Sequence, residues 1–234
     1  MYKWLALLAK SIGKDEDWDR ATKGLKEALD ESGHPYKINE GDGAFYGPKI
    51  DIHIRDALGR SWQCGTIQLD MALPEKFELT YVDSDGEHKR PVMIHRAIFG
   101  SVERFFGILI EHFAGKFPLW ISPRQVRLIP VADRHNEYAH QMAREIQGAE
   151  FECDVDDSHE SVSKKIRDAQ LLQFNYMLTV GDKEMQNNTL SLRRRDNVVI
   201  GEMDLNSFLS TLKRESKDKA LESYFKSHET DSRQ

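Results

Sequence analysis

Apolar positions recur with helical spacing twice in the first half of the chain. In DEDWDRATKGLKEALDES, residues 15–32, Trp18, Ala21, Leu25, Ala28 and Leu29 form one stripe. Acidic residues crowd its first turn and Gly33 supplies a stop, so the spacing predicts a helix. In VERFFGILIEHF, Val102, Phe105, Phe106, Leu109, Ile110 and Phe113 form a second stripe, with Arg104 on the opposite side beside Gly107 and Ile108. Between these helices the period falls to two. AFYGPKIDIHIRD sets Ile50, Ile52 and Ile54 against Asp51, His53 and Arg55, the pattern of a half-buried strand. SWQCGTIQLD returns after the turn ALGR, so residues 44–70 are predicted as a hairpin. FELTYV and RPVMIHRAI, separated by the turn DSDGE, predict a third and a fourth strand. The first unit is therefore expected to be an antiparallel sheet with helices on one side.

Two prolines in GKFPLWISPRQ place a boundary near Pro118 to Pro123. Beyond it the pattern alternates: strand VRLIPVA, helix NEYAHQMAREIQ, strand FECDV, helix SVSKKIRDAQLL, strand YMLTVG. Such alternation implies parallel strands joined by right-handed crossovers. TLSLRRRD and NVVIGEM predict a hairpin, and DLNSFLSTLKRE a last helix with Asp204 as its N-cap. The division is then 1–120, 121–216, and a charged segment 217–234 expected as a frayed tail or a loosely docked helix.

Composition narrows the class. Apolar residues make up 39% and charged residues 31%, enough for a globular core. No run approaches the roughly 18 apolar residues of a membrane span. WLALLA near the start lacks a small-residue cleavage site, so no signal peptide and no membrane partner are expected. Cys64 and Cys153 make no disulfide framework, which fits a reducing cytoplasmic location. The net charge of −6 does not advertise nucleic-acid binding, although a local basic face would suffice for it.

No P-loop, GxGxxG, GxSxG, HExxH or CxxC is present. The remaining candidates each carry a bland reading beside a functional one. Arg104 is a solvated charge, or it stacks on a planar base or grips a phosphate; FGS before it lets a ligand or another backbone approach the helix start. His95 is an edge histidine, or a zinc ligand in need of partners that no nearby spacing offers. Tyr46, Lys49, Gln63, Thr66 and Gln68 line a wet sheet face or a binding surface. A regular strand would put Gln63 and Gln68 on opposite sides, and a bulge at Gly65 would reconcile them. Cys64 reads as a small core hydrophobe. Lys164, Lys165, Arg167 and Arg193 to Arg195 form solvated clusters or contact RNA.

Together these fragments carry a resemblance. GAFYGPKIDIHIRDALGRSWQCGTIQLD and PVMIHRAIFGSVERFFGILIEHFAGKFPLWISP closely resemble the threonyl-tRNA synthetase family. SVERFFGILIEH is similar to motif 3 of class II aminoacyl-tRNA synthetases, and GDKE and LSLRRRD are similar to the family's anticodon-binding domain. The resemblance spans roughly residues 12 to 215 and implies an α+β class: part of a class II antiparallel catalytic sheet, then a mixed α/β anticodon-binding domain. It implies ATP, with magnesium, threonine and threonine tRNA as partners, and a threonyl-adenylate formed before transfer to the tRNA 3′ hydroxyl. By position, Arg104, Lys49 and Gln63 match catalytic residues, and Tyr46, Cys64, Thr66, Gln68 and Ser101 match the threonine and nucleotide pocket. His95 matches one of three zinc ligands, where zinc discriminates threonine from valine through the hydroxyl. Glu184 and Arg193 match anticodon contacts, and His159 stands where the family often has asparagine.

No stretch resembles motif 1, which builds the family's homodimer, or motif 2, or the segment with the other two zinc ligands. The expectation is a C-terminal part of a threonine–tRNA ligase, inactive alone, with sheet edges and apolar surface exposed. The alternative is a non-catalytic tRNA-binding or regulatory module built round residues 123–215.

Overall fold

The structure is a computed structural model that describes residues 2–5, 12, 14–39 and 44–226. Most of the apolar WLALLA stretch lies outside the described residues. The chain divides into two compact units between His112 and Phe113.

The first unit holds a five-stranded sheet in the order β2-β1-β3-β4-β7, made from β1 (Tyr2–Leu5), β2 (Tyr36–Asn39), β3 (Lys49–Arg55), β4 (Ser61–Asp70) and β7 (Met93–Ala97). It is antiparallel except for its outer pair, where β1 and β2 run parallel. Neither of those short strands shows in the sequence pattern. Helix α1 (Asp15–Ser32) has its predicted bounds, and Gly33 ends it in the left-handed conformation at φ 67°. Trp18 is fully buried and its Nε1 donates to the Ile12 carbonyl at 2.8 Å. Leu25 and Leu29 pack on Ile50, and that trio is the buried cluster under this sheet.

Two expectations for this unit need correction. FELTYV does not join the sheet: its last residues form β5 (Tyr81–Val82), which pairs only with β6 (His88–Lys89) in a separate ribbon. Ahead of it, Ala72–Lys76 forms a short helix, α2, started by Asp70 Oδ1, which accepts from the N–H groups of Ala72 (2.9 Å) and Leu73 (3.0 Å). Strand β3 does not bury its aliphatics and expose its polar residues either. Ile50 and Asp51 are both buried, while Ile54 is exposed.

Helix α3 (Val102–Phe113) forms where the stripe predicts it, yet none of its residues is buried. Phe105, Ile108 and Leu109 are half-covered, whereas Val102, Phe106 and Ile110 are each more than half exposed. Phe105 stacks on Phe99, and Glu111 pairs with Arg60 at the tip of the β3–β4 hairpin.

The second unit follows the alternation. Strands β8 (Val126–Pro130), β9 (Cys153–Val155), β10 (Tyr176–Val180), β11 (Thr189–Arg194) and β12 (Val199–Asp204) stand in the order β12-β11-β10-β8-β9. β8 runs parallel to β9 and to β10, while β11 and β12 add an antiparallel hairpin. Helices α4 (Asn136–Gly148) and α7 (Leu205–Lys217) contribute Ala139, Met142, Ala143, Ile146, Phe208 and Leu212 to one large buried cluster. On the other face, α5 (Val162–Leu171), capped by Ser161, adds Ala169 to Ile129, Phe174 and Met177. Asp204 caps α7 by accepting from the Ser207 N–H at 2.9 Å. A short helix, α6 (Asp182–Asn187), is too brief to show a period in the sequence.

Beyond Lys217, where α7 ends, the last segment is neither frayed nor helical up to residue 226. Phe225 is buried against Phe208 and Tyr176, with ring centroids 5.4 and 5.0 Å away. The buried Glu215 accepts from the Tyr176 hydroxyl (2.8 and 2.7 Å) and the Tyr224 N–H (3.0 Å). A phenol has one proton, so the Tyr176 oxygen in turn accepts from Ser223 Oγ at 2.7 Å. Burial pushes the Glu215 carboxyl above its ordinary range.

Candidate functional site

Register brings the polar residues of the first unit into rows. Lys49 on β3 pairs with Gln68 on β4, which pairs with His95 on β7. Directly paired residues share a face of a sheet. Asp51, Thr66 and Ala97 form the next row. Beyond it the register slips: Ile52 pairs with Gly65 but His53 with Gln63, so Cys64 is the extra residue of a bulge. The bulge falls one residue before the expected Gly65 and brings Gln63 to the face that holds Thr66 and Gln68.

Asp51 ties this surface together, and the sequence reading gave it no role. It is 3% exposed. Its Oδ1 accepts from Gln63 Nε2 and Thr66 Oγ1, both at 2.8 Å, and its Oδ2 pairs with Lys49 Nζ at 2.9 Å. Gln63 Nε2 also reaches Thr66 Oγ1 at 3.1 Å. Lys49, two residues earlier, lies on the same side of the strand. Lys49, Gln63, Thr66, Gln68, His95 and Ala97 line a recess of about 310 Å³.

Tyr46 reaches the same face from the segment before β3. The carbonyls of Tyr46 and Pro48 accept from the N–H groups of Met71 (3.5 Å) and Leu69 (3.1 Å). Tyr46 Oη then donates to Gln68 Oε1 at 3.0 Å. Gly47 is required here, because a Cβ would stand 1.8 Å from the Leu69 carbonyl oxygen.

His95 is held by its Nε2, 2.9 Å from Asp70 Oδ2, the same carboxylate that starts α2. Burial works against the charged form of Asp70, but the bonds from Leu73, His95 and Ala72 hold its carboxyl below the ordinary range. Carboxylate-oriented histidines of this kind occur at metal sites. Among the described residues, however, no group of three or more His, Cys, Asp or Glu side chains is placed to hold a metal ion.

Arg104 is exposed on the first turn of α3, and only its backbone is bonded, to Ser101 Oγ at 3.4 Å. Among the described residues its guanidinium has no bonded protein partner. Its charge reaches Cys64, whose buried thiol is pushed up by burial and drawn partly back by Arg104. Gly100, just before the helix, has φ 66°, a left-handed conformation that favours glycine. Ser101 Oγ donates to Glu103 at 2.6 Å.

In the second unit, Glu184 and His159 lie at the carboxyl ends of the parallel strands, where open α/β sheets commonly bind ligands. Glu184 Oε2 accepts from the Gly181 N–H at 2.9 Å and so closes the start of its own helix. The exposed His159 Nδ1 stands 3.7 Å from Asp133 Oδ1. His135, fully buried, accepts from the Ala132 N–H at Nδ1 (3.0 Å), so its Nε2 carries the proton and donates to Asp182 Oδ1 at 2.9 Å. Hydrogen bonds from Arg134, and then from His135, hold the Asp182 carboxyl well below the ordinary range. Arg193 lies elsewhere: it pairs with Met177 near the start of β10, whereas Glu184 follows the end of that strand. Of the other basic residues, Lys165 is buried and donates to the Pro130 carbonyl at 3.4 Å, and Arg195 donates to the carbonyls of Phe117 and Lys116.

Comparison with known proteins defines the class. Residues 8–113 match the family model of the tRNA synthetase class II core domain (G, H, P, S and T), and residues 125–215 match that of the anticodon binding domain. The fold is accordingly a class II core sheet followed by a mixed α/β anticodon-binding domain. Within that class the chain matches threonine–tRNA ligases. It is 64% identical to the threonine–tRNA ligase of Protochlamydia amoebophila over 94% of its own length and 34% of the relative's. It is 58% identical to that of Chlamydia felis, over 90% of this chain and 33% of the other. A crystal structure of the RNA binding domain of threonyl-tRNA synthetase from Cryptosporidium parvum superposes with a TM-score of 0.84 at 41% identity, over 96% of this chain and 56% of that one. The chain thus spans about a third of the length of the curated relatives it matches. Among the described residues no helix is long and apolar enough to cross a membrane.

Proposed function

We propose that these residues serve a threonine–tRNA ligase, the first unit (within 1–120) as one wall of the site where ATP and threonine react and the second (121–216) as the surface that reads the threonine tRNA anticodon. One observation carries the reading. Lys49, Gln63, Thr66, Gln68 and His95 share one sheet face, on which Asp51 binds Lys49, Gln63 and Thr66 and Tyr46 reaches Gln68.

The chemistry follows from that network. Asp51 holds the Lys49 ammonium and the Gln63 amide in fixed positions on a partly dry face, which is the preorganisation that stabilises developing phosphoryl charge. The planar guanidinium of Arg104, without a bonded partner among the described residues, suits an adenine ring or a phosphate. Threonine's carboxylate attacks the ATP α-phosphorus, pyrophosphate leaves, and the tRNA 3′ hydroxyl then displaces AMP from the threonyl-adenylate. Tyr46 and Gln68 supply polar atoms for the amino acid, and Thr66 and Ser101 lie toward the nucleotide. No step is routed through zinc, because among the described residues His95 belongs to no group of three or more metal-ligating side chains. Magnesium accompanies ATP. The family's homodimer and a cytoplasmic location belong to the same proposal.

The alternative, a non-catalytic tRNA-binding module, draws on the completeness of the second unit's core beside the thin core of the first. Two measurements on the purified chain separate the readings. Threonine tRNA is expected to bind better than another tRNA, with affinity falling steeply between two salt concentrations. Threonine-dependent ATP–pyrophosphate exchange is expected to be absent from the chain alone and restored by adding the remaining part of a relative's catalytic domain. Specific tRNA binding with no restored exchange favours the module. Absence of specific binding removes the anticodon role.

A further inference from the structure

Arg193 is held by a device that the resemblance does not name. It is the penultimate residue of β11, and its pairing with Met177 puts it on the sheet face that α5 packs against. The chain then turns through Arg195, Asp196 and Asn197. The Arg194 carbonyl accepts from the Asn197 N–H at 3.0 Å, and the Val198 carbonyl accepts from the Arg194 N–H at 2.9 Å. Asn197 is left-handed, φ 71°, the conformation this hairpin loop demands and one that asparagine tolerates. That conformation folds its side chain back toward β11. Arg193 Nη1 donates to Asn197 Oδ1 at 2.6 Å and to its carbonyl at 3.3 Å. Gln170 of α5 donates to the same Oδ1 from Nε2 at 3.2 Å. Arginine can only donate, so the atom facing it must be the amide oxygen, and both donors fix its orientation. Among the described residues, Arg193 Nε and Nη2 have no protein partner.

We propose that Asn197 and Gln170 are positioning residues that clamp one edge of the Arg193 guanidinium and leave Nε and Nη2 for RNA. The inference rests on the reading that Arg193 contacts the anticodon. An arginine side chain loses considerable rotamer freedom when it binds. Here that loss is taken in advance by two bonds to Asn197, whose side chain is itself held by Gln170 on a helix from a different part of the fold. The clamp also explains why an exposed turn holds an asparagine oriented from two sides.

The test uses the full chain and two RNAs, threonine tRNA and the same tRNA with its anticodon replaced. The readout is the ratio of their dissociation constants. Asn197→Gly keeps the left-handed turn without strain and deletes the acceptor. Asn197→Asp keeps an acceptor. Arg193→Ala is expected to abolish most of the preference. Asn197→Gly is expected to reduce it roughly tenfold, the weight of one charge-assisted hydrogen bond, with an unchanged melting temperature, and Gln170→Ala is expected to reduce it less. Asn197→Asp is expected to restore it. If Arg193→Ala lowers the ratio while Asn197→Gly leaves it at the wild-type value, the clamp is overturned and the anticodon reading stands. If Arg193→Ala itself leaves the ratio unchanged, the anticodon reading fails and the clamp falls with it. A tenfold loss in Asn197→Gly that Asn197→Asp does not recover means the turn acts through shape alone, which also overturns the clamp.

Discussion

Helices α3 and α4 carry similar patterns and meet different fates. Each is amphipathic and about three turns long. Helix α4 buries Ala139, Met142, Ala143 and Ile146 under the second sheet, whereas α3 buries nothing and leaves Val102, Phe106 and Ile110 open. The same contrast holds for the two units. One is closed round Leu128, Leu178, Leu190 and Leu192, and the other rests on Leu25, Leu29 and Ile50 with β7 as an open outer strand. Amphipathic spacing states which side of a helix prefers to leave water. Whether anything arrives to cover that side is a property of the surrounding chain.

That contrast can be broken by substitution. Leu178→Ala removes a fully buried side chain and is expected to cost about 2–5 kcal/mol in the unfolding transition of the second unit, followed by denaturant titration. A loss under 1 kcal/mol would mean that this core is looser than its burial indicates. Gly47→Ala drives a Cβ to 1.8 Å from a backbone oxygen that cannot swing away. It is expected to cost at least the ~1–3 kcal/mol usual for overpacking and to release Tyr46 from Gln68. Hydrogen exchange of the Leu69 and Met71 amides reports it, and unchanged protection would refute the close approach. Asp182→Asn sharpens the comparison by pH. The folded carboxyl titrates below the roughly 3.9 of an unfolded aspartate. Its stabilisation is therefore present above that value and lost as pH falls through the folded one. Wild type should exceed the variant in melting temperature at neutral pH, and the gap should begin to narrow as pH falls below about 4; a constant gap would sink the assignment. The smallest effect is expected at α3. Phe106→Ala should alter stability by no more than about 0.5 kcal/mol, because the ring is already 58% exposed. A larger loss would show that α3 is covered in solution.

Legibility in the sequence divides along the same line. The second unit's five strands and three long helices could be placed because each apolar run is bounded by a turn signal or cap, as at Ser161 and Asp204. Helices α2 and α6 escaped because five or six residues hold too little of a period, and β1 and β2 because four residues alternate too briefly. In the site, the bulge was inferable from Gly65 between two glutamines. Asp51 was not, because strict alternation assigns it to the wet side, and only the cross-strand partners Lys49, Gln63 and Thr66 explain a buried carboxylate. No spacing in the sequence offers His95 a partner, because its partner, Asp70, comes from a neighbouring strand.

The burial of Phe225 has a practical consequence for anyone who dissects this chain. The family match to the anticodon-binding domain stops at residue 215. Physically the unit does not stop there: a gene cut at that point would discard the ring between Phe208 and Tyr176 and strip Glu215 of the Tyr224 N–H and Tyr176 of Ser223. The resulting hole would open in the hydrophobic centre rather than at the rim. Shortened versions intended for crystallography or binding assays should therefore be trimmed no earlier than Lys226, and a C-terminal tag should be attached only beyond that residue.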